Sequence, residues 1–214
     1  MKNKIIITLL IISGLLCMLT TNALAVKDQA RLFMSTDFNN STSMKHATLC
    51  AVATYRRLGY NVIGGTPILG YTTTSSRQTV LNYISGMGNN YAFFVSAHGN
   101  PNLFTMQSGN QSQYIRPTDI TGYWHFVFLN SCSCMSTDAF ARAFKTVGYS
   151  NRASLGWFNT VTFAGSEEWW SYFVNQAGTT NLRAACLAAA DRCSNSTPIR
   201  IYGDKTWNGR AWDK

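Results

Sequence analysis

Acid is scarce in this sequence. Nine Asp and Glu stand against 18 Lys and Arg, for a formal charge of +9. No acidic loop of the calcium-binding kind is recognisable. The basic residues are not gathered into a run. They occur singly or in pairs, such as Arg56-Arg57 and the lone Arg183, so no nucleic-acid partner is expected and the reading is a solvated surface. The motifs that name a chemistry at once are also missing. There is no Walker loop, no G-x-S-x-G, no dinucleotide fingerprint, no H-E-x-x-H and no C-x-x-C pair. Nucleotide-binding, serine-hydrolase and zinc-peptidase readings are set aside on that ground, and neither a cofactor nor a metal is expected. Histidine is limited to His46, His98 and His125, which leaves few candidates for a general base.

The N-terminus reads as a targeting segment. Lys2 and Lys4 form a basic start, Ile5 to Leu19 an apolar stretch broken by Ser13-Gly14, and Ala23-Leu24-Ala25 a cleavage signal. The apolar stretch is short for a membrane anchor, and Leu16 ahead of Cys17 does not suit a lipid-attachment site. Residues 1–25 are expected to be a signal peptide and 26–214 a single domain, secreted or periplasmic, with no stable membrane anchor. Without Lys2 and Lys4, 16 basic and nine acidic residues leave about +7 (16 − 9).

Five cysteines follow the leader: Cys50, Cys132, Cys134, Cys186 and Cys193. An odd number leaves at least one unpaired in an exported monomer. Two disulfides and one reactive thiol is an economical arrangement, and full reduction is the alternative. Cys186 and Cys193 should not pair along one helix, whose rise between them is roughly 10 Å against a disulfide span of about 4.4–6.8 Å.

Strand and helix signals alternate along the chain. Ala30–Ser35 reads as a strand. Met44, Ala47, Ala51, Tyr55 and Leu58 form the stripe of a helix stopped by Gly59. Tyr60–Ile63 is a second strand. Thr72–Ser76 reads as a polar loop, with Ser75 and Gln78 as a capping box for a helix burying Val80, Leu81, Ile84 and Met87. Asn100–Gly122 reads as a loop or hairpin over the strand ends. Ser136-Thr137-Asp138 starts a helix carrying Phe140, Ala143, Phe144 and Val147, and Ser154–Phe158 is a strand. Ser166 is expected to cap the next helix, with Glu167 and Glu168 in its first turn and Trp170, Phe173, Val174 and Ala177 inward. Asn181 opens an alanine-rich helix with Leu182, Ala185, Cys186 and Ala189 on one stripe. Ile199–Tyr202 is a last strand, before a polar tail with Trp207 and Trp212. This alternation predicts an α/β sheet with helices on both faces, without a repeat or a second domain.

Two stretches stand out. Tyr91-Ala92-Phe93-Phe94-Val95 is unbroken apolar sequence and runs into Ser96-Ala97-His98-Gly99-Asn100. Phe126-Val127-Phe128-Leu129 runs into Asn130-Ser131-Cys132-Ser133-Cys134. Both read as strands buried in a parallel sheet, and ligands gather at the carboxyl ends of such strands. A thiol nucleophile needs a base to form thiolate and donors to hold an oxyanion. His98 supplies the base, Cys132 the nucleophile, and the backbone amides of Gly99 and Cys132 the donors. Glycine after the histidine lets a substrate carbonyl come close to the amide. His125 is the backup base. His46, early in a helix, reads as a capping or surface residue.

The two blocks, Phe93–Gly99 and Val127–Cys132, resemble the hallmark segments of the caspase-like cysteine peptidases, the group of gingipains, clostripain, legumain, separase and CHAT-type domains. Leu155-Gly156-Trp157-Phe158, Ser166 to Phe173 and Leu182 to Ala190 are similar to that family's later strand and two helices, so the resemblance runs from about Arg31 to Gly203. Ser131 stands where the family more often has alanine. The resemblance implies a three-layer α/β/α sandwich on a mostly parallel six-stranded sheet, one strand antiparallel, and a His/Cys dyad without an obligatory third acid.

The resulting expectation is an exported cysteine endopeptidase acting on a protein or peptide, with His98 and Cys132 as its dyad. Its rival is a non-catalytic caspase-like module that binds a peptide or partner protein, disfavoured because both dyad residues are present. A thiol-redox protein using Cys132 and Cys134 is a third reading, resting on the C-x-C alone. The segments around Trp157–Thr160 and Asn100–Gln113 are candidates for the specificity pocket. Glu167 and Glu168 are the acids nearest in sequence to that wall.

Overall fold

The computed structural model describes residues 28–65, 68–84, 91–194 and 198–211. The expected signal peptide, Met87 and Trp212 lie outside the described residues. Asp28–Ala211 packs as one unit.

The centre is β8, Trp124–Asn130, in which every residue is buried. On one side lie β4 (Tyr91–Ser96), then β1 (Gln29–Ser35), and then the two-residue β2 (Asn61–Val62). On the other lie β9 (Ala153–Trp157) and, at the edge, β10 (Ile199–Gly203). All pair in parallel except β10, which is antiparallel to β9. Neighbouring parallel strands need crossovers long enough for helices, and five α-helices are described: α1 (Thr42–Arg57), α2 (Arg77–Ile84), α3 (Ala139–Ala143), α4 (Phe163–Gln176) and α5 (Leu182–Ala190).

The pleat sorts each strand between two cores. Leu32, Met34, Ala92, Phe94, Phe126 and Phe128 face the core shared with α1, α4 and α5. Phe33, Phe93, Val95, Val127 and Leu129 face the core under α2 and α3. Strict alternation puts Trp124 on the side of Phe126, yet Trp124 belongs to the second core. A register irregularity where Tyr91 and Ala92 pair with Trp124 and Phe126 accounts for it. The sandwich is therefore layered α/β/α.

Four elements depart from expectation. Thr72–Thr74 is a short strand, β3, which pairs with the carboxyl half of β1 while β2 pairs with its start. The sheet thus has seven strands rather than six. Polar Thr suits a half-exposed edge, so no apolar run announced it. The cap of α2 is Ser76, whose hydroxyl accepts from Thr79 N at 3.2 Å, one residue later than the expected Ser75. Helix α3 stops at Ala143, short of Val147, because Lys145 takes φ 53° and Thr146 turns back onto Ala141 O through both its amide and hydroxyl.

The fourth departure is α4. It starts at Phe163, capped by Thr162 Oγ1 accepting from Gly165 N at 3.0 Å. Gly165 within that first turn weakens the local helix signal, which is why the sequence pattern placed the start late. Ser166 lies buried inside the helix rather than at its cap, and no acid sits in the first turn. The Asn100–Gly122 stretch folds as a hairpin and more: β5 (His98–Asn100), β6 (Leu103–Thr105) and β7 (Tyr114–Ile115) make a separate antiparallel sheet. None of the described helices is long and apolar enough to cross a membrane.

Candidate active site

Strands β4 and β8 run side by side in parallel, and their last register pair is Ser96 with Asn130. The coupling continues past the ladder. Ala97 N donates to Asn130 O at 3.3 Å, and Ser131 Oγ donates to Ala97 O at 2.8 Å. The next residues are His98 and Cys132, each two positions beyond its strand. Two residues far apart in sequence are thereby held at the carboxyl ends of adjacent strands.

His98 opens β5 and pairs with Thr105 of β6, so its backbone is held by that ladder. Its ring meets the buried Phe38 edge-on, with centroids 4.8 Å apart. Phe38 in turn meets Phe163 at 5.1 Å, and Phe163 is 43% exposed. The loop carrying Phe38 is anchored at the end of β1. Ser35 Oγ donates to Met106 O at 2.7 Å, and Asp37 Oδ2 accepts from Ser108 N at 2.7 Å.

The Cys132 turn is held by the connection from β9 to α4. Ser133 N donates to Asn159 O at 3.1 Å, and Met135 N to Trp157 O at 3.1 Å. The Cys132 thiol donates to Val161 O at 3.6 Å. Ser133 takes φ 55°, a left-handed backbone that non-glycine residues seldom adopt. Cys132 N makes no backbone hydrogen bond among the described residues.

Beneath this turn Asn130 links four elements. Its Nδ2 donates to Ser96 Oγ at 3.1 Å, while Oδ1 accepts from Trp157 Nε1 at 2.7 Å and from Ser166 Oγ at 2.8 Å. All four residues are buried, and a satisfied buried network rigidifies what it supports. Sequence reasoning saw Asn130 only as part of a block. A polar residue ending the apolar run Phe126–Leu129 is the available signal.

Gly99 has a packing role besides the open approach expected for a substrate. A Cβ there meets Cys134 Sγ at 2.6 Å and Ser131 Cβ at 2.8 Å, both on the Cys132 turn. Gly99→Ala should therefore push that turn aside and destabilise the protein by about 1–3 kcal/mol. Adding Cys134→Ala should restore part of the loss, because one of the two obstructing atoms is removed. Urea denaturation of the single and double variants measures both effects, and an unshifted midpoint for Gly99→Ala refutes this packing account.

The remaining candidates fall elsewhere. Cys134 is fully buried, its thiol donates to Leu103 O at 3.5 Å, and burial pushes it far above the ordinary thiol range. It is a core thiol, with no bridge to Cys132, and the redox reading loses its pair. His125 is not a backup base. It is 0% exposed in β8, with Nδ1 3.0 Å from Asp28 Oδ2. His46 is a surface residue, 2.9 Å from Glu167 Oε1. Glu168 accepts from Ser194, so both glutamates considered for a specificity pocket are engaged. Trp157 is buried in the Asn130 network, which leaves Phe158, Asn159 and Thr160 as that segment's accessible part.

Of the two arrangements open for the thiols, the structure has the reduced one: Cys50, Cys132, Cys134, Cys186 and Cys193 are all free. Cys186 belongs to the core stripe of α5, and the Cys193 thiol donates to Ala189 O at 3.2 Å. Among the described residues no group of three or more His, Cys, Asp or Glu is arranged to hold a metal ion.

No family model and no curated protein sequence matches the chain. Solved structures do. The Arg-specific cysteine proteinase gingipain R aligns with TM-score 0.53 at 12% identity over 85% of this chain. The complex of Porphyromonas gingivalis RgpB pro- and mature domains aligns with TM-score 0.51 at 10% identity over 86%. The Saccharomyces cerevisiae separase–securin complex aligns with TM-score 0.50 at 13% identity over 84%. The chain spans about half of each gingipain chain, 47% and 49%, and 12% of the separase chain. At these identities the likeness is one of fold: the chain has the caspase-like fold seen in gingipain R and separase.

Proposed function

We propose that the chain is an exported cysteine endopeptidase acting on a protein or peptide substrate. Cys132 attacks the scissile carbonyl. His98 takes the thiol proton and returns it to the leaving amine. The amides of Gly99 and Cys132 hold the tetrahedral oxyanion. One observation carries this reading. His98 and Cys132 lie just past the last coupled residues of two adjacent parallel strands, the place where open α/β sheets present ligands. The Cys132 amide, which makes no backbone hydrogen bond among the described residues, and the rigid Asn130 support beneath it agree with the roles assigned. Export rests on Lys2, Lys4 and the Ala23-Leu24-Ala25 signal.

Thiol labelling tests the nucleophile. A peptide-mapped iodoacetamide-type probe should modify Cys132 in the wild-type protein and in Cys134→Ala, and hydrolysis of a mixed peptide substrate should cease once Cys132 is alkylated. Full hydrolysis by protein alkylated at Cys132 would sink the assignment.

A further inference from the structure

A second thiol has a histidine beside it. Cys50 follows His46 by four residues on α1, so both project from one face. His46 Nε2 is 3.8 Å from Cys50 Sγ. The other ring nitrogen, Nδ1, is 2.9 Å from Glu167 Oε1 on α4. Thiol, imidazole and carboxylate thus stand in sequence, with the acid orienting the ring from behind. The His46 and Glu167 side chains are 50% and 32% accessible, and Cys50 is half-buried. Glu167, Ser171 and Tyr172 also line an open surface groove of about 330 Å³ along α4, which Cys50 and His46 adjoin through Glu167 and do not themselves line.

The surroundings oppose ionisation of an isolated thiol here. Burial pushes Cys50 up, a hydrogen bond with Ser171 lowers it, and the charge of Glu167 raises it again. His46 Nε2 is the base beside Sγ, and Glu167 holds the ring by its other nitrogen. Among the described residues, Cys134, Cys186 and Cys193 have no hydrogen bond to a histidine. Burial pushes Cys193 up to about 11, and Cys134 and Cys186 lie buried.

We propose that Cys50 is an S-thiolation site, at which a low-molecular-weight disulfide entering the adjoining groove is attacked by Cys50 with His46 as base and Glu167 as its positioning residue. The Sγ proton moves to His46 Nε2. Sγ bonds to one sulfur of the disulfide, the S–S bond breaks, and the departing thiolate recovers the proton from His46 as free thiol. Oxidation of Cys50 is balanced by reduction of the leaving half. The proposal is independent of the peptidase reading.

The test uses the full chain carrying Cys132→Ala, incubated with glutathione disulfide, with adducts located by mass spectrometry of peptides. Cys50 should gain glutathione ahead of Cys134, Cys186 and Cys193, and Cys50→Ser should lose that adduct. His46→Gln should slow the reaction at Cys50 at least about 100-fold, the low end for a positioned base. Glu167→Gln should slow it less, with near-UV circular dichroism unchanged in both. Equal rates at Cys50 with and without His46, or faster reaction at Cys193, overturn the proposal. Should His46→Gln not fold, an unslowed Glu167→Gln overturns it instead.

Discussion

Cys132→Ala should reduce kcat/KM for peptide hydrolysis by about 10⁴-fold or more, because it removes the proposed nucleophile. His98→Ala should lower it by about 10²–10⁴-fold, the usual worth of a positioned acid–base group. The two losses should not add in the double variant, since a base without a nucleophile has nothing to activate. Cys132 lies beyond β8, and His98 joins the three-stranded sheet only through its backbone pairing with Thr105, which alanine keeps, so far-UV circular dichroism and the denaturation midpoint should hold. Cys134→Ala, by contrast, should keep most activity. Wild-type turnover in His98→Ala would remove the dyad from consideration. His125 could not then be promoted, since its ring is enclosed in β8.

Asn130→Ala should be the most destabilising single change near the site. It strips the acceptor from Trp157 Nε1 and Ser166 Oγ and the donor from Ser96 Oγ, leaving three buried polar groups without this partner. Each such group costs about 1–3 kcal/mol and the costs overlap, so a loss on the order of 3 kcal/mol is expected. Calorimetry or urea denaturation reads it directly. Activity should fall as well, because Ser131 and Cys132 follow Asn130 in the chain. A loss under about 1 kcal/mol would mean that the network adds little beyond its geometry.

Most of the architecture was legible because burial leaves a pattern. β4 and β8 are buried on both faces and read as continuous apolar runs. The stripes of α1 and α5 recur at helical spacing, and Asn181 caps its helix as expected. What escaped the pattern was held by contacts distant in sequence. β3 exists because the edge of β1 needs a partner, and three threonines in a polar stretch do not announce that. The start of α4 was hidden by Gly165 within its first turn, and Ser166 passed for a cap when its hydroxyl was committed to Asn130.

The sequence by itself determined the alternation of strands and helices, the two apolar runs that end at His98 and Cys132, and the supply of five thiols from Cys50 to Cys193. These are properties of local periodicity and composition, which a one-dimensional reading contains. Only the tertiary structure decided that β4 and β8 are neighbours, that Gly99 packs against the Cys132 turn, that Cys134 is sealed while Cys132 stays accessible, and that His46 meets Glu167 across 121 positions of chain. Strand order, burial and partnership between distant side chains are set when the whole chain competes for one core, and no local window of residues carries that information.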